Sequence, residues 1–286
     1  MDNIETKKHI VMKIAIIVTC FNRKESTVKC LNRIKRLFEN ERIDYDLHLT
    51  DDGCTDGTSD AVLSIIPNAY IYKGENLFWA GGMRLAWNGA YKKGGYDYYL
   101  FLNDDTYVKD NLVSDFLECD NMYNGTAIIS GAICDPKTKK RTYVGFVIDT
   151  LFPFKTHMTD IAGKPQEIAY SGANVMFIPK TIVNKVGLFP SIYVHGIADV
   201  DYCCRARKKG FKVVMTSNYV GECFMNDGMT KKDLSKRSFS ERYKYLFSPK
   251  GKAAKQWLFY QWSFYPWRVP FVFFKIVLQL LFGIKE

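Results

Sequence analysis

No Cys-x-x-Cys pair occurs among the eight cysteines (Cys20, Cys30, Cys54, Cys119, Cys134, Cys203, Cys204 and Cys223), and no histidine spacing completes a zinc site around them. This excludes a structural zinc module, and free thiols fit a reducing, cytoplasmic compartment. The opening stretch, MDNIETKKHIVMKIAIIV, has a short apolar run, but acidic residues precede it and no small-residue cleavage site follows, so it does not read as a secretory signal. Internal repeats, low-complexity tracts and a Pro/Gly-rich linker are also missing, which argues against solenoids and loosely tethered domains. No Gly-x-Gly-x-x-Gly follows the first apolar strand, so the dinucleotide fingerprint is out. The C-terminal apolar stretch, 271–284, is interrupted by Lys275 and Gln279 and falls short of the roughly 20 residues a spanning helix needs.

What is present is a chain of 286 residues with 47% hydrophobic and 24% charged side chains, enough for one large α/β domain with an appendage or for two small domains. The net charge of +10 and the 15% aromatic content stand out, and a basic surface suits an anionic partner. From Lys236 onward ten basic residues face only Glu241 and Glu286, so this segment alone carries +8. The basic character belongs to the tail. The division expected is a catalytic domain over 1–230 and a helical, membrane-associating appendage over 231–286.

Continuous β-branched runs and helical spacings alternate along the first half. Strands are predicted over 13–20, 44–50, 69–72 and 98–103, with helices over 26–40, 60–66 and 82–92 between them. That alternation predicts a mostly parallel central sheet flanked by helices. Further on, the pattern predicts helices at 112–122, 181–186 and 200–209, and strands at 127–133, 142–147, 174–178 and 211–216.

Two of the predicted strands end in paired aspartates, Asp51-Asp52-Gly53 and Asn103-Asp104-Asp105. Ligands of open α/β sheets bind at the carboxyl ends of the strands. Carboxylates gathered there need a cation or hydrogen-bond donors to offset their repulsion, and a divalent metal on a diphosphate is one such cation. The other reading is that they cap turns and helices.

Asp51-Asp52-Gly53-Cys54-Thr55-Asp56-Gly57-Thr58 resembles the DDGSTDGT signature of the family 2 glycosyltransferases of the GT-A fold, with Cys54 in place of Ser. The likeness runs over roughly 13–216. It implies that Asp51 and Asp52 contact the base and ribose of a nucleotide donor. Thr19-Cys20-Phe21-Asn22-Arg23 matches the first-strand exit, written TYNR, beside the nucleotide. Asn103-Asp104-Asp105 takes the place of the DxD metal motif; Asn103 departs from its first Asp, leaving Asp105 as the metal ligand and Asp104 as its support. Asn76-Leu77-Phe78-Trp79-Ala80-Gly81-Gly82-Met83-Arg84 is similar to a loop of rhamnosyltransferase-like members. There Gly81 and Gly82 would bring backbone N–H groups to an anion and Arg84 would pair with a phosphate, unless the segment is a tight turn with core aromatics.

Ala198-Asp199-Val200-Asp201 resembles the family's E-D-x-D box, with Ala198 in place of Glu. The resemblance implies that Asp199 is the general base of an inverting transfer, the step that needs a carboxylate opposite the leaving diphosphate. Asp201 either contacts sugar, orients the loop or caps the helix. Gly172 and Ala173 match the small-residue turn near donor sugar and acceptor, or form a plain turn. The family's metal-binding His after the last core strand is missing, leaving Glu222 or Asp227 as substitutes.

These likenesses imply a metal-dependent (Mn2+ or Mg2+) hexosyl or deoxyhexosyl transferase. It would use a nucleoside-diphosphate sugar and a glycan or lipid-linked acceptor in cell-surface polysaccharide synthesis, with no nucleic acid involved. The tail, with aromatics set among basic residues, fits a peripheral helix on the cytoplasmic face of an anionic membrane; a helix packed on the domain or in a homodimer contact is the alternative. Oligomeric state stays open. One rival function is a catalytically silent nucleotide-sugar-binding or assembly subunit. Another is a nucleotidyltransferase, against which the Cys20-Phe21-Asn22-Arg23 segment argues because it lacks a Gly-rich basic loop.

Overall fold

The computed structural model describes residues 12–149, 155–225 and 234–284. The first strand, β1 (Lys13–Cys20), is buried on both faces. Its side chains divide with the period of two that a pleated strand imposes: Ile14, Ile16 and Val18 enter one apolar cluster, Ala15 and Ile17 the other. β2 (Asp44–Asp51), β3 (Tyr70–Lys73) and β4 (Tyr98–Leu102) run parallel to it in the order β3-β2-β1-β4. β6 (Ala127–Cys134) and β12 (Lys212–Glu222) point the same way, and β11 (Val175–Pro179), inserted between β4 and β6, is the reversed strand. The sheet is therefore mostly parallel and flanked by helices on both faces, a GT-A arrangement. Short strands add to its edges and to a separate hairpin: β5 (Tyr107–Val108) and β10 (Gln166–Glu167) on β12, β7 (Arg141–Tyr143) on β6, and β8 (Phe146–Ile148) with β9 (Thr156–Met158). The single strand predicted over 142–147 is in fact two, β7 and β8, separated at Val144-Gly145.

On one face α1 (Lys24–Glu41), α2 (Thr58–Ile65) and α4 (Leu112–Met122) bury Leu31, Ile34, Phe38, Val62 and Phe116. On the other, α3 (Phe78–Lys93), α5 (Lys180–Val186) and α6 (Ala198–Lys208) close over an aromatic centre. Trp87 meets Phe101, Tyr202 and Phe189 edge-on at 4.7, 5.2 and 5.3 Å, the orientation that ring quadrupoles favour.

Register places the functional edge. Cys20 pairs with Asp51, and Asp51 with Lys73, so β1, β2 and β3 end level. Val175, the first residue of the reversed β11, pairs with Leu102, the last of β4. The turn that feeds β11, residues 171–174, therefore lies at the same edge as Asn103–Asp105.

The tail is helical: α7 (Phe239–Phe247), opened by a Ser238/Glu241 capping box, then α8 (Ala254–Phe264), a 3-10 turn over 266–268, and α9 (Val269–Phe282). The boundary expected at 230/231 lies outside the described residues. α8 is docked on the sheet domain: the Lys208 ammonium donates to the Ser263 carbonyl at 2.6 Å, the Val194 N–H to Gln256 Oε1 at 3.2 Å, and Tyr193 meets Phe259 edge-on at 5.7 Å. α9 buries Ile276 and Gln279, and Lys252 donates to Gln279 Oε1 at 2.5 Å. Its other side carries Phe271, Phe274 and Phe282 at 76%, 62% and 67% exposure.

Candidate active site

Each carboxylate of the strand-end pairs has a different set of partners. Asp51, buried at the end of β2, accepts N–H bonds from Gly53 (3.2 Å) and Cys54 (2.7 Å) on one oxygen. The Lys73 ammonium (2.6 Å) and the Ser59 hydroxyl donate to the other. Burial pushes its pKa up, but these donors outweigh burial and hold it well below the carboxylate range. Asp52, also buried, accepts the N–H groups of Leu77 (2.7 Å) and Phe78 (2.9 Å), which makes it the anionic cap of α3.

That cap occupies part of the helix start that the sequence offers to an anion. Gly81 and Gly82 lie within the first turns of α3, and the N–H groups of Ala80 and Gly81 donate to the Val194 carbonyl at 3.0 and 3.2 Å. With Phe78 held by Asp52, three of the four N–H groups a helix start leaves open are already used. At Gly82 the chain packs tightly: a Cβ there would run into the Thr19 side chain. Arg84 donates through Nη1 to the carbonyls of Pro190 (3.2 Å) and Tyr193 (2.9 Å). Asn76 stays exposed, with φ 55°.

The second pair is held by a single guanidinium. Arg23 reaches Asp104 at 2.8 Å and Asp105 at 3.0 Å. Asp104 is buried, accepts from Thr27 Oγ1 at 3.3 Å, and is pushed up to about 6 by burial and by Asp105 despite Arg23. Asp105 is more open and has the Cys223 thiol at 3.6 Å. Asn103 Oδ1 accepts from the Trp79 indole at 2.8 Å. Asn22, with φ 49°, turns the chain out of β1 and accepts from the Thr55 N–H at 2.7 Å, while Phe21 stands exposed at the mouth.

Asp199 sits in the first turn of α6 and is half-buried. One oxygen accepts the Val200 N–H at 2.9 Å, the other the Ala173 N–H at 3.1 Å, and Gly172 lies beside it. Burial raises its pKa, and those two N–H groups oppose the rise. Asp201 points the other way. It is 1% exposed and takes the Tyr193 hydroxyl (2.9 Å) and Arg205 Nε (2.7 Å), which ties α6 to the 190–197 loop.

A run of short contacts joins these groups along the sheet edge. Asp52 holds Phe78; Trp79 beside it holds Asn103; the Asn103 N–H donates to the Asn174 carbonyl at 3.0 Å; Asn174 Nδ2 reaches Thr106, next to Asp105, at 3.4 Å; and Ala173 holds Asp199. Two surface clefts, one lined by Glu167, Arg207 and Lys212 and another by Arg33, Lys109 and Glu222, contain none of these carboxylates. Phe78 and Ile197 adopt left-handed backbone angles, φ 56° and 72°, of the strained kind that gathers at functional sites.

Among the described residues no three His, Cys, Asp or Glu side chains converge as a metal cluster. Glu222 is engaged by Lys139 (2.7 Å) and Lys109 (3.5 Å), and Asp227 lies outside the described residues. Asp105, met by Arg23 on one oxygen and by the Cys223 thiol on the other, is the more open carboxylate of the second pair.

Several neighbours were not evident from the motifs. Lys73 follows from register, because it pairs with Asp51, but Ser59, Trp79, Thr106 and Asn174 depend on tertiary packing. With this geometry in place, the comparisons are direct. The family model described as Glycosyl transferase family 2 matches residues 15–178, more than half of the chain. The fold also matches the crystal structure of S. aureus TarS 1-349 in complex with UDP, with a TM-score of 0.52 and 14% identity, over 89% of this chain and 73% of that one. No curated protein sequence matches the chain. The matched segment spans both aspartate pairs and the turn that seats Asp199: the chain belongs to glycosyl transferase family 2.

Proposed function

We propose that the chain is an inverting glycosyltransferase that moves a hexosyl or deoxyhexosyl group from a nucleoside-diphosphate sugar to a lipid-linked glycan acceptor during cell-surface polysaccharide synthesis. Asp199 carries this reading. It is a half-buried carboxylate with a raised pKa, steadied by two backbone N–H groups and linked by short contacts to Asp105. In the transfer, Asp199 takes the proton of the acceptor hydroxyl as that oxygen bonds to the anomeric carbon. The bond from that carbon to the diphosphate oxygen breaks on the opposite face, and the diphosphate leaves with the electron pair. Asp105 would hold a divalent cation, Mn2+ or Mg2+, which when bound neutralises charge on the leaving group. Asp51 and Asp52 shape the nucleoside side of the edge, and Gly172 and Ala173 leave room for sugar.

The tail supports a peripheral position on the cytoplasmic face of a membrane. Among the described residues no helix is long and apolar enough to cross a bilayer. The exposed aromatics of α9, joined by Trp262 and Trp267 and set among Lys255, Arg268 and Lys275, suit an anionic lipid surface.

The test is a thermal-shift and transfer assay with a panel of nucleoside-diphosphate sugars. Asp199→Asn is expected to bind the nucleoside diphosphate as the parent chain does and to lose transfer; unchanged turnover would remove the base assignment. Donor hydrolysis by the parent chain separates an enzyme from a silent binding subunit.

A further inference from the structure

The strained Phe78 ring is approached from two sides by groups that come from distant parts of the chain. The His195 ring lies edge-on to it at a centroid distance of 6.2 Å, and the Lys250 ammonium stands 5.8 Å above its face. His195 Nδ1 is buried and has no hydrogen-bond partner among the described residues, an arrangement that costs free energy unless something fills it. Lys250 is exposed, and no carboxylate pairs with it among the described residues. All three are held in place. Asp52 fixes the Phe78 N–H. Gln256 and α3 clamp Val194, the neighbour of His195, from both sides. Lys250 rides on a turn closed by the Gly251 N–H to the Ser248 carbonyl (3.1 Å) and the Lys252 N–H to the Tyr245 carbonyl (3.0 Å). A Cβ at Gly251 would run into that Tyr245 carbonyl, so the turn requires glycine.

We propose that Phe78, His195 and Lys250 form a phosphate-binding subsite at the rim of the active site, to which the tail contributes the cation. The chemistry is that of a phosphate ester or diphosphate. The ammonium supplies charge, the imidazole supplies one N–H donor, and the phenyl ring supplies a dry wall that strengthens both. Burial, and then Lys250, hold the imidazole below its usual pKa, so it acts as a neutral donor. The subsite lies one residue from Trp79, which holds Asn103 beside the Asp104–Asp105 pair. It therefore meets either the diphosphate of the donor or the phosphate of a lipid-linked acceptor, and this assignment rests on the transferase reading above.

Calorimetric titration of the full chain with magnesium present tests it, using UDP, GDP and dTDP, the matching nucleosides, inorganic pyrophosphate and farnesyl diphosphate. Lys250→Ala and His195→Ala are expected to weaken binding of the preferred nucleoside diphosphate about ten-fold, with nucleoside binding unchanged and Lys250→Arg restoring most of the loss. If farnesyl diphosphate alone is weakened, the subsite stands and serves the acceptor. If pyrophosphate binding depends on Lys250 while no nucleoside diphosphate binds the parent chain, the subsite stands and the donor reading falls. Equal affinities of parent and variants for every phosphate overturn the subsite. A parent chain that binds none of the phosphates overturns both.

Discussion

The two aspartate pairs look alike in sequence and sit at the same edge of the sheet, yet their surroundings are opposite. Asp51 and Asp52 are saturated by six protein donors: four backbone N–H groups, Lys73 and Ser59. Asp104 and Asp105 share one guanidinium, with the Thr27 hydroxyl and the Cys223 thiol as weaker additions, and Asp104 is driven upward in pKa. The first pair is built into the fold, as a turn lock and a helix cap. The two pairs therefore differ in donor inventory, and on the function proposed above that difference separates a nucleoside-side pair from a cation-side pair.

The sharpest way to break this division uses Asp199 as reference. Asp199→Asn should lower transfer by 10² to 10⁴-fold, roughly the worth of a general base, as read by kcat with the donor Kd held near the parent value. Asp105→Asn should come next. It should lower kcat and abolish any dependence of nucleotide affinity on added magnesium, whereas Asp52→Asn should leave that dependence intact. Stability should show the reverse. Losing the α3 cap through Asp52→Ala should cost about 1–2 kcal/mol in denaturant unfolding, beyond the cost of Asp105→Ala. Equal stability losses would erase the contrast. The smallest effect is the pH profile. With its pKa raised by burial, Asp199 is protonated at a pH where a solvated aspartate is not. The acid limb of kcat/KM should therefore lie above the pH at which a solvated aspartate titrates, with activity rising as pH rises through it.

Much of the fold could be read from the chain because its signals are local. The β-branched runs at 13–20 and 98–103 and the helical spacing at 26–40 can bury their apolar faces in few other ways, and the strand-helix alternation leaves a parallel sheet as the economical packing. The short strands β5, β9 and β10 were not legible, since two or three residues have no periodicity and owe their pairing to neighbours. At the site, the carboxylates were legible as residue types at strand ends, but their partners were not. Gly81-Gly82 fitted an anion loop on spacing alone. Only the approach of α3 to Thr19 and the arrival of the Val194 carbonyl show how closely the folded chain packs around these glycines. Asp201 lies two positions from Asp199 in the same helix, yet the Tyr193 and Arg205 contacts that turn it inward come from a folded loop and the next helical turn.

Val194 is gripped from both sides, its carbonyl by the start of α3 and its N–H by Gln256 of α8. One residue thus ties together the loop leading to Asp199, the start of α3 and the aromatic tail. Truncation of α8 should therefore loosen the 190–197 loop and the start of α3 together, although neither is its neighbour in sequence.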